Sequence, residues 1–136
     1  MHQVLTVFLS TMVNALLLDS ANSLYIAIGE GNISWDEGLP DITPVVYNLY
    51  REVAKKKIKS INYFNTLTNE ISATPTDTLL VTSEMFNGED YIGPVRECGL
   101  FMKKEGIFYL IAYSVFNKIE LTEQVTITKN LLIKLI

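Results

Sequence analysis

The sequence predicts an α+β domain: a mainly antiparallel, β-sandwich-like body with an apolar N-terminal helix and one short helix. Three patterns predict it. Leu5, Phe8, Leu9, Met12 and Leu16 recur at the spacing of one helical face. Short runs rich in aliphatic and β-branched residues, such as Leu24 to Ile28 and Thr78 to Phe86, are bounded by turn residues such as Asn87-Gly88. Near the end, Val125, Ile127, Leu131, Ile133 and Leu135 fall on one face of an alternating strand, with Lys129 interrupting it. At 136 residues the chain fits a single domain. Residues 1–19 form the helix and its stop, and residues 24–136 form the β-rich body.

The N-terminal run is apolar on most sides, because Val4, Val7 and Leu18 lie off the main stripe. A helix of this kind is buried, either under the sheet of its own chain or against other subunits. A secretory signal needs a basic leading region, and no Lys or Arg precedes Arg51. A membrane span needs about 20 mainly apolar residues, and Thr6, Ser10, Thr11 and Asn14 break this shorter run. No membrane partner is expected. Asp19 to Ser23 stops the helix, and Leu24 to Ile28 is a strand ending at Gly29.

Gly29-Glu30-Gly31 lacks the third glycine and following helix of a phosphate loop. Thr43-Pro44 reads as an N-cap and first helical residue, which predicts a short helix through Val46, Leu49, Tyr50 and Val53. A strand carrying Lys55, Lys56, Lys57 and Lys59 follows. Those lysines suit either a solvated strand edge or a contact with an acidic neighbour. Thr66 to Asp77 is polar and predicts a surface loop. Ile107 to Phe116 is apolar at successive positions, which predicts a central or sandwiched strand.

Charge and side-chain chemistry then exclude classes of function. The net charge is −4, so no basic face is expected to grip nucleic acid. Residues 1–50 hold five acids and no Lys or Arg, whereas residues 51–136 hold eleven bases and ten acids. The two regions can attract each other, or neighbouring copies. With 49% apolar and only 19% charged residues, some apolar surface is expected to meet a partner. One Cys and one His leave no intramolecular disulfide and no zinc site. Cys98 reads as a small buried thiol. His2 cannot support a nucleophilic triad with Ser and an acid, and the neighbouring pairs Asp36-Glu37 and Glu89-Asp90 lack the separation of glycosidase acids. No enzyme activity and no cofactor are expected.

The stretch Gly93 to Phe101, Gly-Pro-Val-Arg-Glu-Cys-Gly-Leu-Phe, reads as a charged turn between apolar strands. Gly99 would take a positive φ or admit close backbone approach, while Leu100 and Phe101 anchor the next strand. Arg96 and Glu97 point to opposite faces, so each needs a different partner. The expected pairs are Arg51 with Glu97, and Arg96 with Asp36, Glu37 or a neighbouring subunit.

These residues carry a resemblance. Tyr25-Ile26-Ala27-Ile28-Gly29-Glu30-Gly31, Leu49-Tyr50-Arg51-Glu52 and Val95-Arg96-Glu97-Cys98-Gly99-Leu100-Phe101 occur in the order seen in tail fibre and baseplate-associated structural proteins of tailed bacteriophages. The Tyr109 to Ile119 segment and the Val125-Thr126-Ile127-Thr128 strand follow in that order. Cys98 stands where such proteins often have alanine, and Lys129 falls near a usual tryptophan. The chain resembles the domain that joins such fibres to the virion. That resemblance implies a non-enzymatic structural subunit of a tail, baseplate or collar, assembled in the host cytoplasm, homo-oligomeric and docked on other virion proteins. Arg51, Arg96, Glu97, Gly99, Leu100 and Phe101 would carry structure and assembly; Leu5, Phe8, Leu9, Met12, Leu16, Lys55, Lys56 and Lys57 are the interface candidates. The competing expectation is a small carbohydrate- or protein-binding β-module using Trp35, Tyr25 and Tyr91.

Overall fold

The computed structural model describes residues 7–42 and 46–134, with side chains of the first helix from Met12 onward. Helix α1 spans Val7–Asp19. The strands are β1 (Leu24–Gly29), β2 (Glu52–Asn65), β3 (Glu70–Ile71), β4 (Thr78–Ser83), β5 (Gly93–Lys104), β6 (Ile107–Leu121) and β7 (Asn130–Lys134). All pairings are antiparallel, and the strand order is β6-β5-β1-β2-β4-β7 with β3 attached to β2.

Long β2 makes this order possible. Its first part, Glu52 to Lys57, pairs with β1, and its second part, Ile58 to Tyr63, pairs with β4 with a register irregularity between Ile58 and Ser60. Inward residues of β1 and β5 (Leu24, Ile26, Ile28, Val95, Leu100) therefore share one buried cluster with Leu79, Val81 and Ile133 from β4 and β7. The sheet curls until its two ends face a common interior, a nearly closed, barrel-like layer. The mainly antiparallel β-body with one α-helix is present; the expected sandwich-like arrangement takes the form of this single curled sheet.

Several expectations are corrected by backbone hydrogen bonding. Thr43 and Pro44 lie outside the described residues, but Val46 to Arg51 is not helical and Val53 belongs to β2. The reason is visible in the donors: the Tyr50 and Arg51 N–H groups go to the Glu97 carboxylate, and the Arg51 carbonyl accepts from the Glu30 N–H. Short 3-10 turns instead occupy Ala21–Ser23 and Ile33–Asp36. Gly93 to Phe101 is not a turn, since it lies within the continuous strand β5. Ile107 to Phe116 belongs to β6, which ends the strand order instead of lying at its centre, and Ile107 and Tyr109 are half exposed.

Helix α1 buries a different face from the one its spacing suggested. Leu17 enters the core and Leu18 packs against it, while the fully buried Asn14 donates from Nδ2 to the Thr76 carbonyl at 3.0 Å. Met12 and Leu16 are 50% and 65% exposed. Because the helix is apolar on most sides, apolar spacing could not select its buried side. Leu5 lies outside the described residues, as do the side chains of Phe8 and Leu9. No helix among the described residues is long and apolar enough to cross a membrane.

Close approach, not unusual backbone geometry, explains Gly29 and Gly99. A Cβ on Gly99 would lie 2.7 Å from Leu110 Cδ1 and 2.8 Å from Leu49 Cδ1. Both are ends of flexible side chains. On Gly29 a Cβ would strike the Glu97 carboxyl group itself, at 2.6 Å from Cγ and 2.7 Å from Cδ. Urea unfolding should therefore rank the two alanine variants: about 1 kcal/mol lost for Gly99→Ala and about 3 kcal/mol for Gly29→Ala. The reverse order would mean that the Glu97 position is not the tighter constraint.

Candidate functional site

Glu97 sits on β5 opposite Gly29 of β1 and faces outward from the main core. Its outer side is nevertheless closed, because the segment leading into β2 folds over it and Leu49, Ala27 and Phe101 form a second small core beside it. The carboxylate is fully buried. Oε1 accepts from the Tyr50 N–H at 2.7 Å and the Tyr113 hydroxyl at 2.7 Å, while Oε2 accepts from the Arg51 N–H at 2.8 Å and the Gly31 N–H at 3.1 Å. Both oxygens are thus occupied by internal donors. Burial, and then the hydrogen bond to Glu97, push the Tyr113 phenol well above its ordinary range, so it remains a donor.

Arg96 performs the complementary task for the adjoining loop. Nε and Nη2 donate to the two Asp36 carboxylate oxygens at 2.8 and 2.9 Å, and Nη1 donates to the Glu30 carbonyl at 3.0 Å. Such a two-point clamp fixes orientation as well as distance. The Arg96 hydrogen bonds draw the Asp36 carboxyl below its ordinary value, and the same contact raises the guanidinium. Arg96 is thus paired with Asp36. Arg51 is not paired with Glu97 through its side chain, because its backbone N–H makes that contact and its Nε lies 3.2 Å from Glu30 Oε2.

Gly31, with φ of +68°, lets the chain turn so that its N–H reaches Glu97 while the Trp35 ring packs against it. Trp35 meets Tyr50 edge to face at 5.5 Å, and Asn32 Nδ2 donates to the Tyr50 hydroxyl at 3.0 Å. Tyr50 is therefore held at its backbone, ring and hydroxyl, yet remains 62% exposed. Together with Glu30, Asn32, Ile33 and Arg51 it borders an open hollow of about 360 Å³.

The lysine run is not a free basic edge. Lys55 Nζ lies 3.8 Å from the Phe108 ring centre and 4.2 Å from that of Phe101, with Glu52 at 3.3 Å. Lys56 Nζ binds Asp90 at 2.8 Å and donates to the Met85 carbonyl at 3.0 Å. Only Lys57 and Lys59 of the four are exposed. Lys129, the apparent interruption in the last strand, rests 3.8 Å from the centre of the Phe116 ring. Trp35, Tyr25 and Tyr91 each have a different partner: Tyr50, Phe108, and the Pro94 carbonyl.

A second surface feature had no sequence signal. Val13 and Leu17 of α1, Met102 of β5, Tyr109 and Ile111 of β6, and Ile133 of β7 line an apolar groove of about 500 Å³, with Lys104 also at its wall. Tyr113 was likewise missed, since a lone hydroxyl in an apolar run does not reveal its acceptor. Cys98 is buried and its thiol is pushed up to about 11 by burial, in keeping with a packing role. Among the described residues no cluster of His, Cys, Asp and Glu has the arrangement of a metal site.

No family model matches this sequence, and no curated protein matches it either.

Replacing Glu97 by Gln presents an amide donor to N–H groups that need an acceptor. Glu97→Gln should cost about 3 kcal/mol or more, against about 1 to 1.5 kcal/mol for Tyr113→Phe. Equal losses in urea unfolding would show that the phenol, and not the backbone amides, dominates the cluster. Acid titration tests the Arg96 clamp. Because the Asp36 carboxyl is depressed in the folded state, its contribution is complete above its ordinary value of 3.8 and is lost as pH falls through the lower folded value. Asp36→Asn should lower stability at neutral pH and flatten that part of the acid limb; an unaltered limb would assign it to other carboxylates.

Proposed function

We propose that this chain is a non-enzymatic structural subunit of a tailed-phage tail, baseplate or collar, working by self-association and by docking on other virion proteins. The observation that carries the reading is the apolar surface where α1 meets the sheet ends. Met12 and Leu16 are exposed on the helix, Ile107 and Tyr109 on β6, and the apolar groove opens among α1, β5, β6 and β7. Apolar surface of this kind marks a place for a partner when it is contiguous. The phage-like order of the Tyr25 to Gly31, Leu49 to Glu52 and Val95 to Phe101 segments supplies the virion context.

The polar groups near the surface support the non-enzymatic part of this reading. Glu97 is filled by internal donors, Asp36 is clamped by Arg96, and Asp90 is bound by Lys56 and the Asn87 N–H. Each has a structural occupation. The alternative, a small carbohydrate- or protein-binding β-module, is favoured by one observation: the exposed Tyr50 ring beside Arg51, Glu30 and Asn32.

Two measurements test the proposal. Mass spectrometry of purified virions should find the chain in several copies per particle. In light scattering, Met12→Lys with Leu16→Lys should lower the mass of the assembled protein without changing its circular dichroism. Absence from virions removes the phage assignment, and an unchanged mass removes the exposed α1 stripe from the assembly surface.

A further inference from the structure

We infer that the hollow beside Tyr50 binds a neutral hexopyranose, the apolar C–H face of the sugar lying on the Tyr50 ring and its hydroxyls bridging Glu30 and Arg51. The inference rests on the binding-module alternative and is independent of self-association. Two chain segments build the site. The Glu30 N–H donates to the Arg51 carbonyl at 2.8 Å, which brings the two residues opposite each other, and Arg51 Nε lies 3.2 Å from Glu30 Oε2. Next to them Tyr50 is held by its N–H on Glu97, by the edge-to-face contact with Trp35 at 5.5 Å, and by Asn32 Nδ2 on its hydroxyl. It is still 62% exposed. A ring fixed in this way has little side-chain freedom left to lose when a ligand covers it.

The polar groups around this ring are only partly used. The Tyr50 hydroxyl accepts from Asn32 and donates to nothing among the described residues. Arg51 Nη1 and Nη2 and Glu30 Oε1 likewise make no hydrogen bond there, since the pair meets through Nε and Oε2. The hollow therefore offers phenol and guanidinium donors and a carboxylate acceptor beside one exposed ring. Glu30 and Arg51 are the only charged residues lining it among the described residues, and their charges cancel.

That combination selects the ligand. A sugar hydroxyl donates and accepts at once, so two neighbouring hydroxyls satisfy the carboxylate and the guanidinium together, while the C–H face of the pyranose buries apolar surface on the tyrosine. An anion such as phosphate would meet the Glu30 carboxylate across the same hollow. A proline-rich segment, which also favours exposed aromatic rings, offers carbonyl acceptors but no N–H from its prolines and leaves Glu30 unmatched. The volume of about 360 Å³ lies at the small end of ligand sites and suits a single ring.

The test uses the full chain. Trp35 is its only tryptophan and touches Tyr50, so Trp35 emission reports on the hollow, and saturation-transfer NMR gives a second reading of binding. The probes are the methyl glycosides of glucose, galactose, mannose and N-acetylglucosamine, with inorganic phosphate and a polyproline peptide opposing them. At least one glycoside should saturate with a Kd of about 1 mM, as an open site covering one face of a small ligand allows; phosphate and peptide should not bind. Tyr50→Ala should weaken the sugar about tenfold or more, and Tyr50→Phe about threefold. Glu30→Gln leaves Arg51 uncompensated, so it should weaken the sugar and admit phosphate, a change of preference that a merely structural Glu30 would not produce. Circular dichroism establishes that each variant is folded; should Tyr50→Ala unfold the chain, Arg51→Gln, at a side chain 70% exposed, replaces it and must weaken the sugar about threefold or more. A glycoside that binds the Tyr50→Ala chain as tightly as the unaltered one overturns the inference. Phosphate or peptide bound in place of every glycoside, and lost in Tyr50→Ala, overturns the sugar but keeps the binding module. Binding by none of the probes overturns both, and neither result moves the mass of the assembled protein.

Discussion

The buried carboxylate of Glu97 organises this end of the molecule because it needs donors that only distant segments supply. Removing a carboxylate from water costs several kcal/mol even after relaxation. Hydrogen bonds to a charged group return about 1.5 to 3 kcal/mol each. Three backbone N–H groups and a phenol, from Gly31, Tyr50, Arg51 and Tyr113, must all arrive for the anion to be tolerated. The cluster therefore selects one arrangement of three chain segments more than it adds to stability. Its geometry dictates the glycine at position 29, the non-helical course before β2 and the closure of the second small core.

Arg96, the next residue, extends that control to the surface. Through Asp36 and the Glu30 carbonyl it holds the loop that carries Trp35, and Trp35 in turn supports Tyr50. Adjacent opposite charges thus act on separate parts of the same surface. The loop needs no regular secondary structure beyond one 3-10 turn because its polar groups are fixed from β5.

Local alternation made the strands legible: Leu24, Ile26 and Ile28 do face one interior, and Tyr25 and Ala27 face the other side. That Arg96 needs an acid other than Glu97 was also legible, because adjacent strand residues face opposite sides; the choice of Asp36 over Glu37 or a neighbouring subunit was not. What local pattern could not reveal was competition from afar. Tyr50 and Arg51 have helical spacing, but Glu97, more than 40 positions later, takes their amide hydrogens. Lys55 and Lys56 read as a solvated edge or a contact for an acidic neighbour because their aromatic and acidic partners come from distant parts of the chain. The buried side of α1 was undetermined for the opposite reason, an excess of equivalent apolar faces, which the Asn14 amide resolves.

The terminal strand β6 is long and poor in charge over Ile107 to Asn117, features that invite uncontrolled strand addition. Its pairing with β5 slips between Val95 and Glu97 and again between Leu100 and Phe101. Each irregularity bends the strand and interrupts the even row of backbone donors and acceptors that an incoming strand would need. The flaws in this outermost ladder make β6 a poor template for amyloid-like growth.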